Sequence, residues 1–171
     1  MKKILIACLI LLSCASMASA QNNRAFKKGY QGDIEIGNYA VFGKDKAGST
    51  VQVSTTHGYC TGTGMFLGAG IGLGYDMFVD GVMGSVFMDA KYNFIDTKVS
   101  PFASVRTGIR SAEDESIQPF ISIAGGIDTG RFSIKLGYDY GNVCSRDYYS
   151  GKWIPSFRKP SQLFCSFAFK F

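Results

Sequence analysis

The sequence predicts an all-β fold: an eight-stranded antiparallel up-and-down transmembrane barrel. Three observations predict it. Apolar residues recur at period two in eight separate segments, the spacing that puts them on one side of a strand. Over all eight segments that side carries no Asp, Glu, Lys or Arg, while the other side carries both signs. The chain also opens with a secretory pattern: Lys2-Lys3, an apolar run from Ile4 to Leu12, then Ala18-Ser19-Ala20.

The secretory pattern sets the expected organisation. The apolar run is far short of the ~20 residues a membrane helix needs. Residues 1–20 are therefore expected to be a signal peptide cleaved after Ala20, and residues 21–171 the β-barrel domain. Leu11-Leu12-Ser13-Cys14 also reads as a loose lipobox, which would lipidate Cys14 instead. The expected mature chain has 171 − 20 = 151 residues, one domain's worth. Losing Lys2 and Lys3 takes the formal charge from +5 to +3, far less basic than a dedicated nucleic-acid binder. Cys60, Cys144 and Cys165 remain, an odd number that makes no disulfide framework. In the expected layout Cys60 and Cys144 lie at opposite ends of the barrel, too far apart to bond. The single histidine and scattered cysteines have no zinc spacing, and no metal or cofactor is expected.

The strands follow in order. After a polar lead-in to residue 29, Tyr30 to Val41 sets Ile34 and Ile36 against Asp33 and Glu35. A loop at 43–48 leads to Val51 to Tyr59, where Val51, Val53, Thr55, His57 and Tyr59 share a side. Thr61-Gly62-Thr63-Gly64 turns the chain into Met65 to Tyr75, where Leu67, Ala69, Ile71, Leu73 and Tyr75 oppose four glycines. Those glycines keep period two and no helix follows, so they read as room for bulky neighbours rather than a nucleotide loop. Met83 to Phe94 sets Val86, Met88, Ala90 and Tyr92 against Phe87, Asp89 and Lys91. A turn at Asp96 to Pro101 leads to Phe102 to Arg110, with Ala103, Val105 and Ile109 against Arg106 and Arg110. An acidic loop at 112–116 precedes Pro119 to Ile127, and Asp128-Thr129-Gly130 reads as a hairpin turn. Arg131 to Tyr140 sets Phe132, Ile134, Leu136 and Tyr138 against Lys135 and Asp139. Gly141 to Pro160 is expected to be the longest irregular stretch. Leu163 to Phe171 then alternates Leu163, Cys165, Phe167, Phe169 and Phe171 against Phe164, Ser166, Ala168 and Lys170.

Each strand runs about 9–11 residues, the length a tilted strand needs to cross a bilayer. A charge on a lipid-facing side costs up to ~2–4 kcal/mol near the midplane, so the charged side must be the lumen. There Asp33, Glu35, Asp89 and Asp139 face Lys91, Arg106, Arg110, Lys135 and Lys170, four acids against five bases that can pair. With the turn at 96–101, Asp89 is expected beside Arg106, with Lys91 and Lys135 at similar depth in one network. Phe66, Phe87, Phe102, Phe120 and Phe164 also point inward and help fill a lumen that eight strands make narrow. Tyr30, Tyr59, Tyr75, Tyr92, Tyr138 and Phe171 gather near strand ends, as interfacial aromatics do.

The alternating aromatics of the last strand and its final Phe resemble the C-terminal signal of bacterial outer-membrane barrels. The mature chain resembles the small eight-stranded barrels of the OmpA/OmpX type and the outer-membrane β-barrel domain family, over about residues 28–171. The resemblance implies the outer membrane of a Gram-negative bacterium, a monomer among outer-membrane lipids and lipopolysaccharide, and no nucleic-acid partner. It also implies that Phe167, Phe169 and Phe171 are read by the barrel-assembly machinery. The resemblance leaves activity open, because function lives in sites rather than folds. The expected role is structural or surface interaction, and not enzymatic. Tyr148, Tyr149, Trp153 and Arg158 of the last loop are the candidate contacts to an extracellular ligand or to lipopolysaccharide phosphates. The alternatives are a lipid-modifying outer-membrane enzyme and a narrow channel. Lipid A deacylases carry a His and a Ser at such spacing on a strand. Here His57 has only Thr55, which precedes it, and no carboxylate on its side.

Overall fold

The computed structural model describes residues 25–41, 48–77, 81–112, 117–141, 143–149, 152–158 and 161–171. The signal-peptide and lipobox expectations, Cys14 among them, lie outside the described residues. Ten strands and no helix appear among the described residues. They are β1 (Lys28–Val41), β2 (Gly48–Thr61), β3 (Met65–Asp76), β4 (Gly81–Asn93), β5 (Ser100–Ala112), β6 (Ile117–Asp128), β7 (Phe132–Gly141), β8 (Val143–Tyr149), β9 (Lys152–Arg158) and β10 (Ser161–Lys170).

Eight of them close a barrel in the order β1-β10-β7-β6-β5-β4-β3-β2, with every pair antiparallel. Following paired residues from Gln31 through Gly58, Gly68, Asp89, Arg106, Ser122, Asp139 and Gln162 returns to β1 at Val41. The stagger is therefore 41 − 31 = 10 residues for eight strands. Stagger, strand number and tilt together fix the barrel's width, and at eight strands side chains alone can fill the interior.

The remaining pair corrects one expectation. Gly141 to Pro160 is not irregular throughout: β8 and β9 form a separate two-stranded hairpin, with Tyr148 opposite Trp153 and Arg146 opposite Pro155. Its residues alternate too weakly in polarity to read as strands from sequence. The barrel strands also run longer than expected, to 14 residues in β1 and β2. Their ends extend beyond the apolar stretch that the sequence pattern marks.

The two sides of the wall are inverted relative to a soluble barrel. Leu73, Met88, Leu136 and Ile123 are 60–68% exposed on the outside. Burying such a side chain is worth about 1.5–3 kcal/mol each. The interior is instead polar, with Asp33, Glu35, Asp89, Lys135 and Asp139 each at most 5% exposed. Inward aromatics fill the space between charges, and they do so over glycines. A Cβ at Gly70 would stand 2.6 Å from the Phe87 ring, and one at Gly137 2.6 Å from the Phe164 ring. Phe87 and Phe164 are the cross-strand partners of those two glycines. The room is therefore used by the neighbouring strand's ring rather than by a group across the lumen.

Candidate functional sites: the filled lumen and an outer-wall cluster

The inward charges form three tiers. At the end with the short turns, Asp128 accepts from Lys91 at 3.4 Å and from Lys170, and its other oxygen accepts from the Gly130 N–H at 3.0 Å. In the middle, the Arg106 Nη2 donates to Glu35 and to Asp89, each at 2.9 Å, and its Nε donates to Asp89 at 3.3 Å. Lys135 completes this tier at 2.6 Å from Glu35 and 3.6 Å from Asp89. Toward the long-loop end, Arg110 donates to both oxygens of Asp139 at 2.8 and 2.9 Å, and Ser122 donates to Asp139 as well.

Rings lie on the cations between the tiers. The Arg106 guanidinium sits 4.1 Å from the Phe87 centroid and that of Arg110 4.3 Å from Phe120. Lys91 lies 5.3 Å from Phe66 and 5.5 Å from Phe102. Such contacts are worth ~0.5–2 kcal/mol, more where water is excluded. Tyr39 stacks on Phe164 at 4.9 Å.

The structure places the sequence-derived residues unevenly. Glu35, Asp89, Arg106 and Lys135 come together in one cluster, and Arg110 and Asp139 in another. Lys91 does not join the middle tier but turns to Asp128. Asp33 is buried opposite Thr56 and Lys170, and its Oδ1 accepts no hydrogen bond. Sequence reasoning missed Asp128, assigned to a turn, which is the acid that two lysines share. Strand parity was the available signal: Asp128 continues the inward set of β6 that runs through Ser122, Ala124 and Gly126. With Asp128 and Asp76, six acids and five bases are buried among the described residues, not four and five. Tyr148, Tyr149, Trp153 and Arg158 fall on β8 and β9, and their side chains lie outside the described residues.

A second cluster lies on the outer wall at the short-turn end. Thr55 donates to the Asp33 carbonyl at 3.0 Å and lies 3.1 Å from His57 Nε2. With its hydrogen so engaged, the Thr55 oxygen accepts from Nε2–H. The other ring nitrogen, Nδ1, then accepts from the Tyr30 hydroxyl. Both imidazole nitrogens are therefore bonded to hydroxyls, with no carboxylate in the relay. Phe171 meets the imidazole edge-on, 6.0 Å between centroids.

No family profile matches the chain, and no curated protein matches it. Solved structures do. The chain superposes on Neisserial surface protein A (NspA) with a TM-score of 0.58 at 13% identity, covering 85% of this chain and 99% of that one. It superposes on the outer membrane enzyme PagL with a TM-score of 0.54 at 14% identity, covering 81% and 97%. The fold is that of the small eight-stranded outer-membrane β-barrels. At these identities the likeness extends to architecture, and PagL is an enzyme, so the fold leaves activity open.

Proposed function

We propose that the chain is an integral barrel of the Gram-negative outer membrane with a closed lumen. Its role in this reading is structural or surface-interacting, carried by the long-loop end. The observation that carries it is the inverted wall: exposed Leu73, Met88, Ile123 and Leu136 outside, buried Glu35, Asp89, Arg106 and Lys135 inside. In water that arrangement would forfeit the burial of every outer side chain; in lipid it is the favourable one. The protein should resist extraction from envelopes by carbonate or urea and migrate differently on a gel boiled and unboiled. Release into the soluble fraction would overturn the reading.

The aromatic and basic residues of the β8–β9 hairpin, Tyr148, Tyr149, Trp153 and Arg158, suit contacts to lipopolysaccharide phosphates or to an extracellular ligand. Phe167, Phe169 and Phe171 are proposed to be read by the assembly machinery. The monomer reading goes with the closure of the eight barrel strands, which leaves no barrel edge for a second copy.

The likeness to an enzyme makes the catalytic alternative worth weighing at His57. A nucleophile there would have to be Thr55, which spends its hydrogen on the Asp33 carbonyl, and the backbone amides around it belong to the strand ladder. A nucleophile needs its base free to take a proton and an orienting group behind that base. These contacts favour the non-enzymatic reading.

A further inference from the structure

We propose that Gly32, His57, Tyr30 and Thr55 form a receiving site for the Phe171 ring, with His57 as a positioning residue that locks the seam where β1 meets β10. This goes beyond the structural role proposed above, because it assigns the outer-wall cluster a specific task in closing the barrel.

The seam is the barrel's last joint. Every other barrel pair is joined in sequence by a hairpin or, for β7 and β10, by one excursion; β1 and β10 have only their ladder and side chains. That ladder runs from Val41 opposite Gln162 to Asp33 opposite Lys170. It is extended one residue further by Gly32 N–H donating to the Phe171 carbonyl at 3.0 Å and the Phe171 N–H donating back at 2.9 Å. At this pair the Phe171 side chain folds over Gly32. A Cβ on Gly32 would stand 2.6 Å from Cε2 and 2.8 Å from Cζ of that ring, and 3.3 Å from His57 Nδ1. The missing side chain is the floor of the site.

His57 is the wall. It is the β2 partner of Gly32, and its ring meets Phe171 at an interplanar angle of 69°. Tyr30 stacks with the imidazole at 6.0 Å and 25° and bonds one nitrogen, and Thr55 bonds the other. An imidazole held at both nitrogens cannot turn, so it presents a fixed face. Three strands, β10, β1 and β2, are thereby joined on the outside across the seam. A plain girdle of interfacial aromatics would place the same residue types here without requiring glycine at 32 or a histidine fixed twice.

The test uses the full chain refolded into lipid vesicles. His57 is the single histidine, so its imidazole proton signals are assigned without ambiguity. Phe171→Leu should shift those signals, because the edge-on ring is gone. In unfolding titrations Gly32→Ala should lower the folded-to-unfolded ratio strongly with Phe171 present and little in the Phe171→Ala background. His57→Ala and Phe171→Leu should be coupled by about two- to tenfold in that ratio, the range an aromatic pair supplies. Unmoved imidazole signals, additive losses, or a Gly32→Ala effect indifferent to residue 171 would each overturn the proposal. The signal measurement stands even if one alanine variant fails to refold.

Discussion

Removing the Arg106 guanidinium should be the most damaging single change in the lumen. It is 7% exposed and bonds both Glu35 and Asp89 at 2.9 Å. In Arg106→Ala those two carboxylates are left, among the described residues, with Lys135, 2.6 Å from one and 3.6 Å from the other. Uncovering a buried charge in this way costs about 3–5 kcal/mol, and the Phe87 ring loses its cation as well. Asp89→Ala is milder. Arg106 keeps Glu35 and Lys135 keeps Glu35, so the loss is near the ~1.5–3 kcal/mol of a hydrogen bond to a charged group. Once Arg106 is gone, removing Asp89 relieves an unpaired acid, so the double variant should be less destabilised than the sum by about 0.5–3 kcal/mol. Urea unfolding of vesicle-inserted protein, followed by circular dichroism and gel shift, measures all three. The coupling should persist in high salt, because buried pairs are screened little. Strictly additive losses, or Arg106→Ala no worse than Asp89→Ala, would refute the tier as drawn.

Three further outcomes follow from the same geometry. In planar bilayers the protein should show little or no steady conductance, and large stable single-channel currents would refute the blocked lumen. Gly137→Ala should cost stability on the scale of core overpacking, ~1–3 kcal/mol, because its Cβ would meet the Phe164 ring at 2.6 Å and the Ile123 carbonyl at 2.6 Å; Phe164→Leu in the same chain should recover part of that loss. His57→Ala should leave the acyl pattern of lipid A unchanged, and mass spectra differing in acyl number would revive the enzymatic reading.

The barrel was legible because its signal is redundant. Period two decides the side of every residue, and eight segments repeat the decision. Which charge meets which was less legible. Asp89 opposite Arg106 follows from one hairpin, whose turn sets the register. The contacts of Arg106 and Lys135 with Glu35 cross the lumen between strands far apart in sequence, and their lengths depend on the ten-residue stagger. Lys91 went to Asp128 for the same reason: depth along the axis, not sequence distance from Asp89, decides its partner. Asp128 was hidden by its own residue type, since Asp before Thr-Gly reads as a turn. It does cap that turn, through the Gly130 N–H, while its second oxygen serves the lumen. The Tyr30–His57–Phe171 cluster joins three strands on the outer wall, and no pattern within one strand announces it.

The paired charges do more to specify this barrel than to stabilise it. A buried ion pair often contributes little net stability against a well-packed apolar replacement. Its effect appears in the alternatives it forbids. Because side chains alternate across the wall, a one-residue slip of any strand sends its entire inward set outward. For β5 that would carry Arg106 and Arg110 to the outer side, and for β4 Asp89 and Lys91. Each such charge would cost up to ~2–4 kcal/mol in lipid, and its former partner would be left uncovered inside. A slip would also lift rings such as Phe87 and Phe164 off the glycines that admit them and set them against residues with a Cβ. Polar tiers and ring-on-glycine contacts thus penalise the same error independently. The outer aliphatic side chains, being interchangeable in lipid, penalise it hardly at all.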